Sequence, residues 1–60
     1  MNNVYVMTRT ANNRTELLRI DDKGTDLFID GVYQKTKPTL FGNAQKSAKA
    51  HYKAGYRFIL

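Results

Sequence analysis

The sequence has no cysteine, no tryptophan, one proline (Pro38), one histidine (His51), and no acidic residue after Asp30. Without cysteine, and with a single histidine, neither a disulfide framework nor a Cys/His zinc site can staple the fold. Those are the usual supports of a chain of 60 residues, so stability has to come from packing or self-association and should amount to only a few kcal/mol. No apolar run is long enough to serve as a signal peptide or a membrane span. Together with the missing cysteine, this points to the cytoplasm and to no membrane partner. No phosphate-cradling glycine loop or nucleophile elbow is present, and Gly24, Gly31, Gly42 and Gly55 each sit where a turn or a helix cap is expected. His51 has no second metal-ligating partner and reads as a packed, hydrogen-bonded side chain. Asp21, Asp22, Asp26 and Asp30 lack the alternating spacing and terminal glutamate of an EF-hand and read as turn residues. The expectation is therefore a single binding domain over residues 1–60, with no catalytic residue, metal or cofactor, rather than an enzyme.

What is there is positive charge, unevenly distributed. The net charge is +5, and all five acids (Glu16, Asp21, Asp22, Asp26, Asp30) lie in the first half, where they slightly outnumber Arg9, Arg14, Arg19 and Lys23. From Gly31 onward there is no acid, against Lys35, Lys37, Lys46, Lys49, Lys53 and Arg57. Such asymmetry points to an anionic partner, most commonly nucleic acid. The alternative is a solvated, solubilising face.

Periodicity divides the chain into elements. Val4 to Thr10 alternates with period two and is rich in β-branched residues, which predicts a strand. Ala11 to Arg14 is a turn, and Thr15 to Ile20 resumes the extended pattern, completing a hairpin. Asp21 to Gly24 reads as a second turn. Asp30-Gly31, between Leu27-Phe28-Ile29 and Val32-Tyr33, is the strongest hairpin signal, because both central positions of a type I′ turn need positive φ. Lys35-Thr36-Lys37-Pro38 closes the sheet region. Asn43 to Ala54, rich in alanine and lysine and followed by Gly55, predicts a helix of about three turns capped by Asn43. Thr39 is a competing cap that would draw Leu40 and Phe41 into the helix. At about 100° per residue, Ala44, Ala48, His51 and Tyr52 share one face and Lys46, Lys49 and Lys53 the other. Tyr56 to Leu60 predicts a last strand paired inside the sheet. The fold class is thus α+β: a small antiparallel sheet of four to five strands with one C-terminal helix on one face, in the order β-β-β-β-α-β.

Two constellations carry function in this reading. If Val4 and Val6 face the core with Leu18, Ile20, Leu27 and Ile29, the opposite, open face presents Tyr5, Met7, Arg9, Arg19, Phe28, Tyr33 and Lys35, where rings can stack on bases and cations neutralise phosphates. The second is the Lys46, Lys49, Lys53 row, with Lys35, Lys37 and Arg57 as candidate neighbours, suited to tracking a phosphate backbone without reading sequence. Lys46 lies in the first helical turn, where a cation opposes the helix dipole, which suggests an anion nearby. The nucleic-acid-binding candidates are Lys35, Lys37, Lys46, Lys49, Lys53, Arg57, Tyr5, Tyr33, Arg9 and Arg19. The alternative partner is an acidic protein surface, the chain then acting as an adaptor or inhibitor of a larger enzyme, as compact phage genomes often encode. Homodimerisation through an open sheet face or the last strand is a third option. In topology alone, a small sheet followed by a helix resembles the arm-type DNA-binding domains of integrases and the plant AP2 domain, which implies sheet-mediated DNA contact. No motif is shared, and no residue is carried over.

Overall fold

Two turns of the same chemistry set the first four strands. Asn12 and Asn13 have φ of 54° and 61°, and Asp30 and Gly31 have φ of 50° and 82°. Positive φ at both central positions is what a type I′ hairpin turn requires, and Asn, Asp and Gly tolerate it. The computed structural model describes residues 3–59. Its strands β1 (Tyr5–Ala11), β2 (Arg14–Ile20), β3 (Gly24–Ile29) and β4 (Val32–Pro38) form an antiparallel meander. The β2–β3 turn is held by Asp21, whose Oδ1 accepts from the backbone N–H groups of Lys23 and Gly24 at 2.9 and 2.8 Å. The helix α1 (Ala44–Lys53) follows, and β5 (Arg57–Phe58) returns antiparallel to β1, giving the sheet order β4-β3-β2-β1-β5. The α+β class and the β-β-β-β-α-β order are as the periodicity indicates. The last strand differs from expectation: it pairs at the sheet's edge, not inside it, and spans two residues. Leu60, included in that expected strand, lies outside the described residues.

Asn43 caps the helix, its Oδ1 accepting from Lys46 N–H at 3.0 Å. Thr39 does not cap α1, and its side chain makes no cap bond. It is buried, its hydroxyl donating to Asp21 O and accepting from Thr25 Oγ1. Leu40–Gly42 form a separate 3₁₀ turn broken at Phe41, whose φ of 63° leaves the helical region. Leu40 and Phe41 are consequently exposed rather than part of the helix's apolar face.

The core lies between α1 and the β1–β2 part of the sheet: Met7, Leu18, Ile20, Ala44, Ala48 and Tyr56, with Tyr5 and Leu27 packed against it. Alanines at the helix contact let its backbone approach the sheet closely. The expected sides of β1 are reversed. Met7 is fully buried opposite Leu18, while Val4 is 41% exposed. Tyr5, Met7 and Arg9 therefore face the helix, and Val6 and Thr8 lie on the uncovered face. Both alternating sets of β1 are largely apolar, so the period fixes which residues share a side without fixing which side is inward. A bulge corrects β4 as well: Leu27 pairs with Lys35 and Phe28 with Tyr33, leaving Gln34 extra. Tyr33 keeps its place on the uncovered face, whereas Lys35 moves to the helix side.

Candidate nucleic-acid interface

Every acidic side chain is committed within the fold. Asp21 holds its turn, Asp30 Oδ1 accepts from Thr15 N–H at 2.9 Å, and Asp26 accepts from the Thr36 hydroxyl. Asp22 Oδ1 accepts from Ala44 N–H at 2.8 Å, and Glu16 accepts from Arg9 and from the Tyr56 hydroxyl. Among the described residues these acids match two cations: Arg9 with Glu16 at 2.9 Å, and Arg19 with Asp21 at 3.4 Å and Asp26 at 3.8 Å. Among the described residues no other lysine or arginine makes an ion pair. Among the described residues the cations of the C-terminal half thus carry no ion pair, and they are concentrated on α1 and β5.

On α1, Ala44, Ser47 and Ala48 are buried and Lys46, Lys49 and Lys53 exposed. Seven residues at 1.5 Å rise spread the three ammonium groups over about 10 Å. Lys46 does not need an outside anion: the Asp22 carboxylate, reaching over from the β2–β3 turn to Ala44 N–H, supplies negative charge at the helix N-terminus. That corrects the dipole argument for Lys46 and leaves exposure as its qualification.

The C-terminal end of α1 meets β5 in a groove of about 350 Å³ lined by Lys49, Tyr52, Lys53 and Phe58. Tyr52 and Phe58 are 47% and 46% exposed, and their rings lie near parallel, 6.0 Å apart at 23°. Arg57 extends over the Tyr52 ring at 4.2 Å, its Nη1 donating to Tyr52 O at 3.2 Å and Tyr56 O at 2.8 Å. The arrangement offers apolar rings and three cations in one place, with no acid among the described residues lining it. Tyr52 and Phe58 were not among the sequence candidates. Tyr52 sits about 60° from Lys49 around the helix, at the boundary between its two faces, so the wheel carries a signal for it. Phe58 becomes visible only once β5 is placed beside the helix.

The other candidates are dispersed. Tyr5 is on the core side of β1, its ring edge-on to Phe58 at 5.9 Å. Arg9 is not on an open face: its guanidinium lies 4.3 Å over the Tyr56 ring, and its Nη1 donates to Ala54 O at 3.0 Å. Lys35 and Lys37 stand on the exposed edge strand β4, Lys37 beside a small recess of about 80 Å³ shared with Thr25, Pro38, Leu40 and His51. His51 is half-buried; its Nδ1–H donates to Ser47 O at 2.8 Å and its ring meets Tyr56 edge-on. Arg19 and Tyr33 remain on the uncovered sheet face. There, Thr8, Leu17, Phe28 and Tyr33 make a cross-strand row, with the Phe28 and Tyr33 rings 5.7 Å apart. The Tyr33 hydroxyl donates to Thr36, which donates on to Asp26. This face therefore mixes apolar groups with internally matched charge and lacks the cationic excess of the helix.

No protein-family model matches the chain, and neither a curated protein nor a solved structure matches it. No helix among the described residues is long and apolar enough to cross a membrane, and none of them form a group of three His, Cys, Asp or Glu side chains suited to a metal ion.

Proposed function

We propose that this protein binds nucleic acid through the exposed face of α1 and the adjoining β5. The observation that carries this reading is the unpaired charge: all five acids are bonded within the fold, while Lys46, Lys49, Lys53 and Arg57 make no ion pair among the described residues and are exposed. Such a surface neutralises phosphates and releases their counterions, so binding is driven by charge and weakens with salt. The test is a polarisation titration of labelled single-stranded and duplex oligonucleotides at two salt concentrations. Wild-type protein is expected to bind with a steep negative salt slope, and Lys46→Gln or Lys49→Gln to flatten it by roughly 0.7–0.9 each. Changing Lys46, Lys49 and Lys53 to Glu together should abolish binding. Unaltered affinity in that triple variant refutes the assignment.

A second reading, a protein-binding adaptor or inhibitor, is favoured by the uncovered sheet face, where the Leu17, Phe28 and Tyr33 row has no helix over it. Apolar rows bordered by matched charge suit protein contacts better than phosphates. Partners captured from lysate that persist after nuclease treatment, and vanish on Phe28→Lys, would support it; a capture unaffected by that change would refute it. Self-association through the same face is tested by light scattering, where a strict monomer at high concentration rules it out.

A further inference from the structure

We infer that the groove between α1 and β5 receives an unpaired nucleobase, so that the nucleic acid held here is single-stranded; this rests on the nucleic-acid reading above. Four residues line the groove and two of them are lysines, yet its walls are almost entirely carbon. The methylene stems of Lys49 and Lys53 thus complete the apolar wall begun by Tyr52 and Phe58, and their ammonium groups stand at the rim. An apolar slot with a cationic rim matches a nucleotide, whose flat base is apolar on its faces and whose phosphate is anionic. Arg57, fixed by two carbonyls against the Tyr52 ring, sets one cation at a defined point beside the slot.

Other occupants fit less well. A duplex conceals its base faces and offers phosphates alone, leaving the rings of Tyr52 and Phe58 unused. An acidic peptide would satisfy the lysines but has no flat apolar group to match the wall. A second copy would bring the same cations against one another. The volume of about 350 Å³ lies at the low end for small-ligand sites, and it suits a base or two, not a folded surface.

The test compares three ligands of one length at low salt: a single-stranded oligonucleotide, the same backbone with its bases removed, and a duplex. The intact single strand is expected to bind on the order of tenfold or more tightly than the abasic strand. Tyr52→Leu and Phe58→Leu should lose that advantage while binding the abasic strand like the wild type, a result that a misfolded variant could not give. Equal affinity for all three ligands, or preference for the duplex, overturns the base slot and leaves nucleic-acid binding standing. Failure to bind any of the three overturns the reading beneath it as well.

Discussion

Glu16 takes two donors at once, the Tyr56 hydroxyl and the Arg9 guanidinium, and through them ties β1 and β2 to the segment that follows the helix. The Tyr56 bond, with Arg9 adding to it, holds the Glu16 carboxyl below its usual range against the opposing effect of burial. Burial first, and then the negative Glu16, push the Tyr56 phenol up to about 12. The signs follow from the two protonation states. Glu16 contributes stability above the ordinary carboxylate pKa, and that contribution disappears as pH falls through its lowered value. Tyr56 contributes fully below about pH 10, its unfolded value, and the contribution disappears as pH rises toward 12. Tyr56→Phe is expected to cost about 1–3 kcal/mol at neutral pH through loss of a bond to a charged group. It should also decline less than the wild type between pH 10 and 12, as read from urea midpoints across that range; parallel declines would show that Tyr56 is not the titrating group. None of this was legible from the sequence. An arginine in an alternating strand looks like a surface ligand until its partners are known, and Arg9 finds them 7 and 45 residues away.

The helix shows which local signals suffice and which do not. Its boundaries follow from Asn43, the alanine-rich interior and Gly55, all within reach of a short window. What secures its N-terminus comes from elsewhere: Asp22, 22 residues before Ala44, supplies both an acceptor and a charge. Local rules look for that acid in the first turn, where there is none. Asp22→Ala should therefore destabilise by about 1 kcal/mol, as loss of a cap does. Asp22→Asn, which keeps an oxygen acceptor and loses only the charge, should cost a few tenths. In a Lys46→Gln background the cost of Asp22→Ala should shrink, because part of the role of Asp22 is to offset Lys46. A double-mutant cycle by chemical denaturation measures this coupling, and strictly additive costs would refute it. The strands tell a similar story. The type I′ signals at Asn12-Asn13 and Asp30-Gly31 place the hairpins, but the inward side of β1 and the bulge in β4 depend on cross-strand partners. The open face was accordingly assigned the wrong residues from β1 and Lys35.

Across the molecule, the charge asymmetry was readable by counting, since it needs only the order of residues. Which cations are free was not, because it depends on where each acid is used. The fold answers by turning the five acids into turn holders, a helix-end anion and a core bridge, which leaves a net charge of +5 largely as unpaired lysine and arginine on the surface. Two opposite salt dependences follow. In the free protein, like charges repel one another, and the exposed ion pairs that salt could weaken are few, so added salt should raise the melting temperature by a few degrees. Bound to a single-stranded oligonucleotide, the protein should be stabilised by mass action, by about 20 °C at a hundredfold excess over Kd for a domain of this size. That increment should shrink as salt rises, because phosphate contacts are lost with the counterion gradient. The two melting curves should therefore converge with increasing salt, the free one moving up and the bound one moving down. A free protein whose melting temperature falls with salt would show that ion pairs outweigh repulsion. A bound increment indifferent to salt would mean that the contact is apolar rather than ionic, and would take the lysines of α1 out of the interface.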